Sequence, residues 1–165
     1  MKQILLPIIG TVIFIFLVGM FVSNPGKYIK NQPVKSIQNI VKINGVDIQV
    51  SIADSNDERA KGLSNTSSLG EKEGMFFVFD KKDIKPSFWM KDMLISIDII
   101  WIDNDKIVQI DKNLMPLQEE TSDKLITTYS PQIPIDYVLE VNSGFSDKYN
   151  LKVSDNVDLT SLNLN

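Results

Sequence analysis

Three features of the 165-residue sequence predict a mainly β, β-rich α+β domain preceded by one N-terminal transmembrane helix. An uncharged apolar run opens the chain, two tight turns join alternating strands, and only two stretches carry helix-terminating chemistry. The expected arrangement is a small barrel or sandwich of about six or seven short strands with two short helices. With 43% hydrophobic and 23% charged residues, the composition suits a packed domain and does not indicate disorder.

The predicted anchor occupies residues 1–23. No charged residue stands between Gln3 and Ser23, and a helix of about 20 residues at about 1.5 Å rise spans the ~30 Å hydrocarbon core. Fourteen Ile, Leu, Val and Phe residues in this run favour insertion, so the lipid bilayer is an expected partner through residues 3–23. A cleaved signal peptide is the alternative. Its apolar part is usually about 7 to 15 residues and ends in a small-x-small site, which Phe21-Val22-Ser23 matches poorly. Without cysteine there is nothing to lipidate at such a site.

Residues 24–36, with two prolines, one glycine and three lysines, read as a semi-rigid linker. Lys27, Lys30 and Lys35 after the span outnumber Lys2 before it, which would keep the following domain inside. A two-residue tail and a large C-terminal domain favour translocation instead.

The globular domain is expected over residues 37–165. It carries 13 basic and 21 acidic residues, 13 − 21 = −8, and such an acidic body repels nucleic-acid phosphates. With no histidine and no cysteine, imidazole triads, thiolate nucleophiles and ordinary zinc sites cannot be assembled. No phosphate-cradling glycine loop occurs either, so no cofactor and no metal are expected.

The domain opens on a hairpin. Asn44-Gly45 supplies the two positive-φ residues of a type I′ turn, and Val46, Ile48, Val50 and Ile52 then alternate with polar neighbours. Ser55 and Glu58 form a capping box for a short helix that runs to Lys61 and closes at Gly62. Gly74–Asp80 (GMFFVFD) is apolar on both faces, the signature of a strand deep in a sheet.

The strand ending in Asp103 turns at Asp103-Asn104-Asp105 into KIVQI. That acidic triplet resembles the start of a calcium loop, but Ile107 and the missing glycine and glutamate favour a hairpin. A polar connection from Asp111 to Thr128 leads to the strand DYVLEVN, a helical turn over SGFSDKYN with Asn150 as left-handed cap, and a final strand around Val157.

In this order, several blocks are similar to the prokaryotic family catalogued as domain of unknown function 192. They are Glu58-Arg59 with Gly62-Leu63 and Leu69; Gly74 to Phe79; Phe88-Trp89-Met90-Lys91; Ile95 with Asp98 to Ile100, Ile102 and Asp103; and Tyr137 to Asn142 with Gly144. The resemblance covers roughly residues 46–157 and implies a compact β-rich fold, often exported, with no assigned activity. It resolves the orientation in favour of a cell-membrane protein with an extracytoplasmic domain. The sequence departs from the family pattern at Ser64 (usually Met), Thr66 (usually Arg), Asp92 (usually Asn) and Ser154 (usually Gly). The lost arginine and the gained acid disfavour an anionic ligand.

In the stretch PSFWMKDMLISIDIIWID, the odd positions Met93, Ile95, Ile97, Ile99 and Trp101 form an apolar core face. The even face holds Asp92 and Asp98, expected to be partly buried and in need of partners such as Arg59, Lys91 or backbone donors. One reading gives Asp98 or Glu140 to a turn or strand end, and Trp89 and Met90 to packing. The other is a shallow ligand-binding cleft of Arg59, Trp89, Lys91, Asp92, Asp98 and Glu140, taking a glycan or an envelope protein.

The function expected is therefore a membrane-anchored, outward-facing, non-enzymatic binding or accessory module, with no residue assigned to catalysis. Its competitor is a glycan hydrolase using two of Asp92, Asp98 and Glu140, which requires carboxyls about 5 to 10 Å apart in an open cleft.

Overall fold

The computed structural model describes residues 39–117, 126–162 and 164. The expected anchor and linker, residues 1–23 and 24–36, lie outside the described residues. Among the described residues no helix is long and apolar enough to cross a membrane. Contacts divide the chain at Ser36/Ile37, and the second unit is Ile37–Asn165.

That unit is mainly β. In chain order it contains β1 (Ile40–Ile43), β2 (Val46–Ala53), α1 (Asn56–Lys61), β3 (Glu73–Val78), β4 (Phe88–Trp89), β5 (Ile97–Asp103), β6 (Lys106–Leu114), β7 (Thr128–Tyr129), β8 (Tyr137–Asn142), α2 (Phe145–Lys148) and β9 (Val157–Ser161). Seven strands form one sheet in the order β6-β5-β8-β3-β2-β1-β9, while β4 pairs only with β7. The sheet curls into a half-barrel: at one end its two edges meet through a bridge between Lys106 and Asn156 and a bond from Ile107 N to Asp155 O of 3.0 Å.

Local chemistry accounts for the connections. Asn44 (φ 51°) and Gly45 (φ 77°) make the first hairpin turn, and Asn104 (φ 46°) and Asp105 (φ 55°) make the second; Asn and Asp tolerate this left-handed region better than other side chains. The capping box is present, with Glu58 N donating to Ser55 Oγ at 3.3 Å and Ser55 N donating to Glu58 Oε2 at 3.0 Å. These bonds, the Ser55 hydroxyl first, hold the Glu58 carboxyl below its ordinary range. From α1 the chain returns as β3, parallel to β2, placing the apolar run of Phe76 and Phe77 at the sheet centre.

The strands β3, β5 and β8 divide two cores. Phe76, Ile100, Leu139 and Val141 pack with Val41, Ile48 and Phe145 on one side. Phe77, Ile97, Ile99, Trp101 and Val138 pack with Leu63, Met90 and Met93 on the other. The even face of β5, expected to be only partly buried, is core as well: Asp98, Ile100 and Ile102 are all 0% exposed. The reason is that α2 and the curled sheet cover it, and this cover comes from distant chain segments.

The strand count and the extent of β6 also differ from expectation. The two strands beyond the expected seven, β4 and β7, are two-residue pairings with no periodic signature. Strand β6 runs on to Leu114, past the expected end at Ile110, because Asn113 adopts φ 56° and lets buried Leu114 pair with Ile97. Ser154, where the family pattern has glycine, sits at φ 78°, and Asp92, where it has asparagine, at φ 59°.

Candidate functional site

A cleft of about 230 Å³ opens where α1 ends beside β4. Its buried lining is Leu63, Phe77 on β3, Glu140 on β8 and Met93. The α1 side contributes Arg59, Lys61 and Gly62, followed by Leu63 and Ser64; the β4 side contributes Phe88 and Trp89. Phe79 completes the aromatic wall. Beneath it the rings interlock edge to face, Phe77 to Phe88 at 5.0 Å and Phe88 to Trp101 at 5.5 Å between centroids, which fixes the wall.

Glu140 is the unusual member. Its residue is 5% exposed, and its Oε2 is buried without a hydrogen-bond partner. The same oxygen lies 3.9 Å from where a Cβ on Gly62 would stand, which places it at the cleft end of α1. Burial without a counter-charge pushes its carboxyl up to about 8, so at neutral pH it is held mostly as the neutral acid.

Arg59 does not pair with it. Its Nη1 donates to Asp54 O at 2.5 Å and Val78 O at 2.8 Å, and its Nη2 donates to Asn56 Oδ1 at 2.6 Å and Asp80 Oδ1 at 3.1 Å. The guanidinium thereby braces α1 against the end of β3, with its side chain 14% exposed and 5.9 Å from the Phe79 ring centroid.

Of the six residues expected to share a cleft, the structure brings together Arg59, Trp89 and Glu140. Trp89, 49% exposed, stands at the rim. Lys91 and Asp92 are not in the lining. The Lys91 carbonyl accepts from Ser64 Oγ at 3.4 Å, and the Asp92 carbonyl from Asn65 N at 2.8 Å, so this turn props the loop after α1 through its backbone.

Asp98 lies apart from the cleft. Its Oδ1 accepts from Asn113 N (2.9 Å) and Gly144 N (3.2 Å), and its Oδ2 from Ser146 N (2.9 Å), so it ties β6 and the start of α2 to β5. It faces the other core, because Asp98 pairs with Val141 while its neighbour Ile99 pairs with Glu140. Phe77, Phe79, Ser64 and Met93 were not anticipated in the cleft. An apolar run such as GMFFVFD signals burial but not which ring borders a cavity.

Elsewhere, Asp83, Asp103 and Asp136 place one carboxylate oxygen each within 4.8 Å of one another at the second hairpin. Lys82 Nζ lies 3.4 Å from Asp136 Oδ2 and supplies a counter-charge there.

The sequence profile of DUF192, described as "Uncharacterized ACR", matches residues 39–159. No curated protein matches the chain. Among solved structures, a protein of unknown function from Novosphingobium aromaticivorans DSM 12444 superposes with a TM-score of 0.65 at 29% identity, over 76% of this chain and 89% of that one. A protein described as a candidate transcription regulator from Sinorhizobium meliloti 1021 superposes with a TM-score of 0.62 at 26% identity, over 70% of this chain and 84% of that one.

Proposed function

The chain belongs to the family of domain of unknown function 192, and we propose on that footing that it is a non-enzymatic ligand-binding or accessory module whose binding site is the Glu140 cleft. One observation carries this reading: a nine-tenths buried carboxyl oxygen with no partner faces a cleft walled by aromatic rings. A buried polar atom left unsatisfied costs on the order of 1–3 kcal/mol, and a bound molecule that contacts it recovers that cost.

Hydrolysis by a carboxyl pair is the competing reading. It is less well supported, since among the described residues Glu140 is the sole carboxyl in the cleft lining and Asp98 serves backbone amides on the other face of the sheet. Direct binding of DNA fits poorly with a domain charge of −8 (13 − 21).

We place the domain outside a membrane and tethered by residues 3–23, on the strength of their uncharged apolar run and the family's frequent export. The full chain titrated with envelope glycans and with small polar and cationic compounds should quench or shift the emission of Trp89. Binding that Trp89→Ala leaves untouched would count against the cleft. Extraction by alkaline wash without detergent would count against the tether.

A further inference from the structure

We infer that the cleft selects an organic cation, an alkylammonium group whose nitrogen rests against Glu140 Oε2 and whose carbon substituents pack on Phe77, Phe79, Phe88 and Trp89. The inference rests on the cleft being the ligand site, and it names the ligand's chemical class.

The lining decides between anion, neutral molecule and cation. An anion would require a free positive group deep in the cleft, whereas both terminal nitrogens of Arg59 are committed to two carbonyls, Asn56 and Asp80. Lys61 stands at the exposed lip. A neutral polyol would need several fixed hydrogen-bonding groups to replace its water. Among the described residues, the neutral hydrogen-bonding side chains there besides the Glu140 carboxyl are the hydroxyls of Ser64 and Ser87.

A cation meets both special features of the wall. Ring faces carry negative quadrupole density and attract a desolvated ammonium, and an unpaired carboxyl supplies the counter-charge once ionised. The cleft volume of about 230 Å³ suits a small head group, since pockets for drug-sized ligands measure about 300–1,000 Å³.

Ion-pair formation requires Glu140 to ionise, so binding below its titration releases a proton. Among the described residues, the charged groups that line the cleft with it are Arg59 and Lys61 from α1; β3 and β4 present Phe77, Phe88 and Trp89, and its cross-strand neighbours are Met75 and Ile99. With a free-state value of about 8, affinity for a cation rises about fiftyfold from pH 6 to pH 8.

The test titrates the full chain in nanodiscs with choline, tetramethylammonium and neohexyl alcohol, the neutral isostere of choline, by calorimetry at pH 6 and pH 8. The expected result is choline binding at pH 8 that weakens about fiftyfold at pH 6, with heats that depend on the buffer because a proton is released. Neohexyl alcohol should bind at least about tenfold more weakly than choline. Trp89→Leu keeps an apolar wall and should weaken choline while sparing the alcohol. Glu140→Gln should lose choline with no loss of thermal stability. Equal binding of choline and the alcohol, indifferent to pH, overturns the cation assignment and leaves the cleft reading standing. Binding of neither, nor of the glycans and other compounds of the wider titration, overturns both.

Discussion

Asp98 and Glu140, two buried carboxyls on neighbouring strands, face opposite sides of one sheet. The register Ile99↔Glu140 and Asp98↔Val141 enforces this, because consecutive strand residues point to opposite faces. Their surroundings differ accordingly: Asp98 accepts three backbone N–H bonds, whereas one oxygen of Glu140 accepts none. One acid holds the fold together and the other borders the cleft.

Asp98→Ala should therefore destabilise the domain by roughly 3 kcal/mol, since three backbone amides, that of Ser146 fully buried, lose their acceptor at once. Denaturant unfolding would register the loss. Ligand affinity at the cleft, measured where the variant is still folded, should stay within about twofold. A fully stable Asp98→Ala protein would refute the bracing role.

Glu140 should make stability fall with pH. Its unfolded-chain value is near 4.5 and its folded value about 8, so between these the unfolded chain has released a proton that the folded one retains. The contribution is complete below pH 4.5 and is lost as pH rises through 8, on the order of a few kcal/mol in total. Glu140→Gln removes this dependence, so the stability of the variant relative to the parent should grow from pH 5 to pH 9. A constant difference across that range would contradict the assignment.

Ser154→Gly should stabilise the fold. Ser154 sits at φ 78°, a left-handed conformation costing a side chain about 1–2 kcal/mol, part of which glycine's greater unfolded freedom offsets. A gain on the order of 1 kcal/mol is expected in urea unfolding. Ser154→Ala should gain nothing.

Gly74→Ala should do the reverse. An added Cβ would stand 2.6 Å from the Glu140 carbonyl oxygen, so β3 and β8 must separate there. A loss of about 1–3 kcal/mol is expected, and because the displaced backbone carries Glu140, ligand affinity should fall as well. Unchanged affinity would show that the cleft tolerates movement of β8.

Features set by near neighbours were legible in the sequence. Asn44-Gly45, the Ser55/Glu58 box and the burial of Phe76 and Phe77 follow from chemistry within a few residues. Asp98 could be identified as needing partners, but its donors lie 15, 46 and 48 residues away. The cover on the second face of β5, the β4–β7 pair and the commitment of Arg59 to Asp80, 21 residues on, likewise depend on how the chain returns. Arg59, Trp89 and Glu140 could be shortlisted as chemically capable residues. Their separation from Asp98 required the strand register.

A carboxyl-carbon NMR titration of Glu140 in the unliganded full chain tests the account most directly. A midpoint near pH 8 is predicted, moving down when choline is added. A midpoint near the ordinary 4.5, unmoved by any ligand, would mean that the carboxyl is already solvated or paired, and the cleft would lose the feature that makes it a site.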